Sequence, residues 1–441
     1  MMYLLGVLLM LVGISASIAL HELGHLLPAK KFGVKCTQYM VGFGPTLWSR
    51  RKGDTEYGVK AIPLGGYVRM IGMFPPLPGQ GDRLRPSSTG RFSQLADQAR
   101  AESAEEILPG DEDRVFYKLP VWKRVVIMLG GPVTNLVIAT VLLTGIITVY
   151  GIPEYTSKVS TVSACAPADP AATSCEGQPP SPALAAGLEE GDVITAVDGQ
   201  AVQGWGETSY AIQNATSPAT ITVDRDGTTR ELTVQLTTVD RPLLRPDGTP
   251  QLDEAGQPVL GQVSFLGASG SVEYIPQPVS DAPTYVGTAL VETGKIFLAL
   301  PEKMVGVWQA AFGGDDRDET GPISVVGVGR VAGEVTAGGL GALTGTFAAK
   351  MVLLLNLLAS LNIALFVFNM IPLLPLDGGH VAGALWEGLK RTVARVFGRP
   401  DPGPVDIAKA LPLAYTVAIV FIGMTVLLVY ADLVNPIRLG G

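Results

Sequence analysis

Apolar residues gather in four long runs, each with the roughly 20 residues that a helix needs to cross a bilayer. They give spans at 1–29, 125–150, 350–376 and 410–430. The stretches between them have a different pattern. Within 30–124, Gln38–Trp48 and Tyr57–Met70 are rich in β-favouring residues and are separated by the polar Ser49–Glu56. This predicts a hairpin or small sheet beside the membrane. Residues 75–115, dense in Pro, Gly, Ser and charge, read as a mobile loop. Segment 151–282 alternates as short strands do, at Ser157–Val162, Val193–Val197, Ala219–Asp224 and Arg230–Thr237. A short helix after Ser181 ends at Gly187, and Asp198-Gly199 marks a tight turn. Residues 155–275 therefore form one small, mostly β domain. Segment 283–349 opens with an amphipathic helix over 283–312 carrying Trp308 and Phe312, then a Gly-rich linker leads to the third span. Segments 377–409 and 431–441 complete the chain, and nothing repeats at a fixed period.

Composition agrees with a membrane protein: 441 residues, only 16% of them charged, and a positive mean hydropathy. Charge then orients it. Residues 30–124 carry 16 Lys and Arg, whereas 151–349 carry 9 against 24 Asp and Glu, and 377–409 carry 5. Basic loops stay inside, so 30–124 and 377–409 face the cytoplasm and 151–349 faces outward, with both termini outside. The first run is read as a retained span rather than a cleaved leader, because it lacks a basic start and contains the motif below. The net charge of −8 argues against nucleic acid as a partner. Cys36 falls on the reducing side, while Cys165 and Cys175 fall together where a disulfide can form.

The candidate chemistry lies inside the first span, at His21-Glu22-Leu23-Gly24-His25. Two imidazoles four residues apart share one helix face and can bind one Zn²⁺. Glu22 stands where a general base belongs. Ionisable groups are costly inside a membrane, so function is the default reading. A catalytic zinc takes three protein ligands. The only other His, His380, follows Asp377-Gly378-Gly379 at the inner end of the third span. Asp377 and His380 are both candidates for the third ligand. Pro372 and Pro375 break the helix there. Asn369, two turns before Asp377, could donate to a developing oxyanion or to substrate backbone. Asn135 in the second span needs a polar partner.

These motifs resemble the site-2 protease (M50-type) family of intramembrane zinc metalloproteases, in its bacterial RseP-like branch. H-E-x-x-H in the first span and N-x-x-P-x-x-x-L-D-G in the third carry the likeness. Gly42-Phe-Gly-Pro45, Pro63-Leu-Gly-Gly-Tyr67, Gly131-Pro-Val-Thr-Asn135 and Gly321-Pro-Ile-Ser324 support it, and Ala186–Asp192 resembles a PDZ domain. The implied fold is a polytopic α-helical membrane protein with four transmembrane helices, a membrane-associated β-sheet and one extracytoplasmic PDZ-like domain, where some relatives have two. The resemblance selects His21, His25 and Asp377 as zinc ligands and Glu22 as base. It moves His380 behind the ligands, beside Asn135. It implies that Asn369 contacts substrate, and that Gly42, Phe43, Gly44, Gly65, Gly66 and Tyr67 bind it as an added strand. The implied substrates are single-span membrane proteins of the anti-sigma-factor type, trimmed first by an upstream site-1 protease, and remnant signal peptides. Two other classes compete. An inactive PDZ scaffold would tolerate loss of Glu22 or Asp377, and both are present. A metal transporter would need ionisable groups along a path, and here there is one cluster.

Overall fold

The computed structural model describes residues 1–75, 103, 105–165, 175, 179–253, 257–314, 317–318, 321–338, 346–405 and 407–437. The chain divides into two compact units, one of residues 1–146 with 278–441 and the other of 147–277.

In the first unit, four helices among the described residues are long and apolar enough to cross a membrane: Met2–Lys31, Val121–Tyr150, Phe347–Asn369 and Leu411–Val434. The chain is a multi-pass membrane protein. Helix α1 (Met2–Lys31) runs past the apolar stretch and ends on Lys30 and Lys31, cations that suit a helix C-terminus. Helix α2 (Val121–Gly145) starts after Pro120 and continues as a π-turn to Tyr150. The third span is shorter than its apolar run: it stops at Asn369, before Pro372, and not at 376. After a short irregular stretch a new helix begins at Asp377, so most of 377–409 is helical. The loop expected over 75–115 also needs correction at its end, while 76–102 and 104 lie outside the described residues. Residues 105–115 lead into a pinned segment. The Lys35 N–H donates to Arg114 O, the Phe116 N–H donates to Ile71 O, and Val115 and Phe116 are buried.

The β region exceeds a plain hairpin. Strand β1 (Cys36–Lys52) and strand β2 (Thr55–Met70) meet at a turn of Gly53 and Asp54, so the basic residues Arg50–Lys52 belong to the strand and not to the turn. Both strands fold back on themselves. Met40 pairs with Tyr67 on one side and Gly58 on the other, and Arg50 pairs with Tyr57. The result is a four-segment sheet ordered 66–70, 36–41, 56–59, 48–52. Its 66–70 edge lies along α1. The Tyr39 hydroxyl donates to Ala19 O at 2.7 Å and anchors the sheet there.

In the 147–277 unit, a six-stranded sheet runs β10-β3-β4-β6-β7, with β5 beside β4, and β8 and β9 form a separate pair. These are β3 (Ile152–Val162), β4 (Val193–Val197), β5 (Gln200–Ala201), β6 (Ala219–Arg225), β7 (Thr228–Val234), β8 (Thr237–Pro242), β9 (Leu260–Phe265) and β10 (Ala268–Ile275). The run expected as one strand over 230–237 divides between β7 and β8. Helices α3 (Pro182–Ala185) and α4 (Gly204–Asn214) cover a core of Val159, Ile194, Ile221, Val223, Val234 and Leu266. Asp198 and Gly199 both adopt positive φ, as an Asp-Gly hairpin turn requires. Cys165 and Cys175 form a disulfide.

The 283–312 stretch is two helices, α5 (Ala282–Leu298) and α6 (Leu300–Phe312). The Gly-rich linker contains an unexpected helix, α7 (Val325–Ala337), capped by the Ser324 hydroxyl and ended by Gly338 at φ +95°. Its small residues let it press on α1. A Cβ on Gly6 would stand 2.3 Å from Ala332 O, and one on Gly333 would strike the Tyr3 ring. The third and fourth spans are α8 (Phe347–Asn369) and α10 (Leu411–Val434), with α9 (Asp377–Val396) between them.

Candidate metal centre

Helix α1 presents His21 and His25 one turn apart, and α9 brings its first residue, Asp377, to face both. The two Nε2 atoms are 3.2 Å apart. Each lies 3.4 Å from Asp377 Oδ2. Ligands held at about 2.0–2.2 Å by a tetrahedral Zn²⁺ stand about 3.3–3.5 Å from one another. The triangle of donors has that size and leaves the fourth position open. One carboxylate with two imidazoles is also a donor set that zinc accepts.

The surroundings fix the imidazoles. His25 is buried, and its Nδ1–H donates to Ile127 O at 2.8 Å. A carbonyl can only accept, so Nδ1 carries the proton and Nε2 keeps its lone pair for a metal. Pro132, one turn on, lacks the N–H that would bond Met128 O and loosens α2 near this point. Asn135 is buried, with its amide nitrogen 3.1 Å from His21 Nδ1 and its Oδ1 without a partner among the described residues. Turning the amide over places Oδ1 to accept from Nδ1–H, which leaves His21 Nε2 free as well. His380 sits one turn beyond Asp377 on α9, and its buried Nδ1 has no hydrogen-bond partner among the described residues.

Glu22 lies between the two His on the sheet side of α1. A Cβ on Gly66 would come 2.9 Å from Glu22 Cγ, so the 66–70 edge runs directly past the carboxylate. Gly65, at φ +119°, lies under the Phe43 ring, which stacks on Tyr67. Gly42 and Gly44 pack on β2 around Ile62 rather than on the His pair. Asn369 is the half-buried last residue of α8. Thus Gly66 reaches the centre, Gly65, Tyr67 and Phe43 form its flank, and Gly42 and Gly44 shape the strand behind.

Two glycines of the motifs act by close packing, and three further residues lie outside the motifs. Gly24 meets Gly130 backbone to backbone, and a Cβ on Gly131 would lie 2.2 Å from His25 Nε2 and 2.6 Å from His21 Nε2. Asn362 on α8 is fully buried and donates to Ser17 Oγ on α1 at 3.0 Å. Arg124 at the start of α2 and Glu387 on α9 form a buried ion pair, and Glu387 also accepts from the Val405 N–H. That pair ties α9, and with it Asp377, to the helix that orients both imidazoles. The Gly-Gly-Pro step was the available signal for Gly131. For Asn362, Arg124 and Glu387 the sequence offered none.

Comparison with known proteins follows the same line. The profile of peptidase family M50 matches residues 9–398. The zinc metalloprotease Rip1 of Mycobacterium tuberculosis is 37% identical, with all of both chains covered. The metalloprotease MmpA of Caulobacter vibrioides is 26% identical over 89% of this chain and 90% of its own. The regulator of sigma-W protease RasP of Bacillus subtilis is 24% identical over 84% of this chain and 87% of its own.

Proposed function

This chain belongs to peptidase family M50, and from that premise we propose how its residues cut a peptide bond within the membrane. It is a zinc metalloendopeptidase, and its function is intramembrane proteolysis. The observation that carries the site assignment is the triangle of His21 Nε2, His25 Nε2 and Asp377 Oδ2, sized for one zinc ion. These three residues hold the metal. Bound zinc supplies Lewis acidity and lowers the pKa of its water toward ~7.

The remaining work falls to protein groups. Glu22 takes the proton from the attacking water and passes it to the leaving nitrogen. Ile127 O and Asn135 keep both imidazoles in the ligating tautomer. A helical substrate hides its scissile carbonyl in an i to i−4 hydrogen bond and must unwind. The 66–70 edge beside Glu22 offers main-chain groups that replace those bonds, a form of strand addition. Asn369 donates to the substrate near the scissile bond.

The substrate class is the single-span membrane protein of the anti-sigma-factor type, supported by the name of the Bacillus relative. The distribution of basic residues supports an orientation with the centre toward the cytoplasm and the 147–277 unit outside. That unit acts as a PDZ-like filter, admitting substrates already trimmed by a site-1 protease. The test is cleavage of such a trimmed substrate by purified wild type and Glu22→Gln, with bound zinc quantified in both. Zinc near one per chain in both, with cleavage lost only in the variant, is expected. Wild type without zinc overturns the assignment.

A further inference from the structure

Helix α9 is not one of the four spans, yet it has two apolar faces. Val381, Ala384, Glu387 and Ala394 are buried on one side, where Gly388 packs on Val121. Leu385, Trp386, Leu389, Val393, Val396 and Phe397 are exposed, from 44% for Val393 to 74% for Val396. At 100° per residue Leu385, Leu389, Val393 and Val396 fall on a single stripe, flanked by Trp386 and Phe397.

The depth of this stripe is fixed by its neighbours. Val121, against Gly388, is the first residue of α2. Beside it Trp122 is exposed and meets Phe32 edge-on at 5.3 Å, with Lys123 Nζ 5.3 Å from the same Phe32 ring. Aromatic and basic residues at the ends of apolar helices mark the bilayer surface. So α9 passes through that layer near Gly388, and its exposed stripe lies at headgroup depth.

The chemistry there is amphiphilic. A cavity of about 450 Å³ between α9 and residues 399–402 is lined by Trp386, Leu389 and Val393, with Lys390 and Arg399 among its polar residues. Lys390 Nζ stands 5.5 Å over the Trp386 ring. Arg391 is held by Glu387 and Asp401, whereas neither Lys390 nor Arg399 pairs with an acid among the described residues. An apolar floor with two uncommitted cations fits an acyl chain that ends in a phosphate. We propose that the exposed face of α9 is a docking surface for anionic phospholipid of the cytoplasmic leaflet, where such lipids concentrate. The leaflet assignment rests on the orientation given under Proposed function. Because Asp377 is the first residue of α9, lipid seated on this face steadies the third ligand.

The test uses the full chain with Leu389→Cys labelled with bimane. Cys36 is buried and the other two cysteines are bonded, so the introduced thiol is the accessible one. The protein is placed in vesicles of phosphatidylcholine, with or without phosphatidylglycerol, containing lipid that carries a nitroxide near the headgroup. Quenching by the nitroxide, increased by phosphatidylglycerol, is expected. Lys390→Glu with Arg399→Glu should remove that increase, each charge near an anionic surface changing lipid occupancy about five-fold. Quenching by aqueous iodide alone overturns the proposal, and so does lipid quenching indifferent to phosphatidylglycerol. Shielding from both quenchers means a protein occupant and also overturns it. An impermeant thiol reagent added outside intact cells checks the orientation separately. Modification there sinks the leaflet assignment but leaves the lipid contact standing, since nitroxide lipid occupies both leaflets.

Discussion

Two polar clusters join α9 to the spans, one against α2 and one against α1, and they differ in kind. Arg124 and Glu387 close on each other, and the spare Glu387 oxygen accepts from the Val405 N–H. His21, His25 and Asp377 converge instead on a point, three acceptor-capable atoms about equally far apart, with their outer nitrogens held by Ile127 O and Asn135. A closed cluster joins helices. An open cluster, with its donors turned away and its lone pairs facing inward, is built to receive a cation. The same residue types can serve either purpose, and the direction of the hydrogen bonds separates them.

The comparison can be broken at several points. The largest effect is expected from Asp377→Ala, which opens the triangle: zinc should fall below one per chain and cleavage should vanish, while the thermal melt of the metal-free protein stays close to that of metal-free wild type. A melt that collapses with the metal absent would make Asp377 a structural residue of the closed kind. Arg124→Leu should act in the opposite way. It removes the buried partner of Glu387 and leaves the half-buried Arg391, at 3.1 Å, as the remaining cation. The cost should fall somewhat below the about 3–5 kcal/mol of a fully stranded charge, and Arg124→Leu with Glu387→Leu should recover part of it. Failure of the double variant to recover would show that the pair does more than join helices. Asn135→Ala should leave the fold intact and weaken zinc binding about 10- to 100-fold in chelator competition. An unchanged affinity would remove Asn135 from the centre.

The smallest effect sharpens the contrast from the second unit. In the 147–277 unit, Asp192 is a closed cluster with Arg225, at 2.7 Å. Burial alone would raise the Asp192 carboxyl, but the Arg225 guanidinium and the Glu189 N–H hold it below the ordinary range. A depressed carboxyl stabilises the fold above its unfolded pKa of about 3.9, and that contribution is lost as pH falls through the folded value. Asp192→Asn should therefore melt lower than wild type at pH 6, and the gap should close in strong acid. A gap independent of pH would refute the ionic account.

How legible all this was depends on the range of the signal. His21 and His25 are set by helical periodicity, while the proline break in an apolar run only brings Asp377 and His380 forward together, and the family resemblance chooses between them. These local patterns survive folding, and the structure brings the three residues together. Helix α7 was missed because Gly327, Gly329 and Gly333 read as a linker in water. Against α1 the same glycines permit the close approach that gives the helix a reason to form. Arg50, Arg51 and Lys52 look like turn residues and widen the expected turn between β1 and β2, although one Gly-Asp step suffices. Arg124 and Glu387 were illegible for another reason: a charge defaults to solvent unless its partner is known, and these two are 263 residues apart.

The order of the chain has a consequence for synthesis. His21, Glu22 and His25 are made first, the whole 147–277 unit follows, and Asp377 comes near the end. With Asp377 as third ligand, a ribosome-bound fragment holds the base and two imidazoles but no complete centre. Its neighbours in the membrane at that moment are other nascent apolar helices, the kind of segment it will later cut. On the proposed ligand set, the order of synthesis delays completion of the centre until Asp377 reaches His21 and His25.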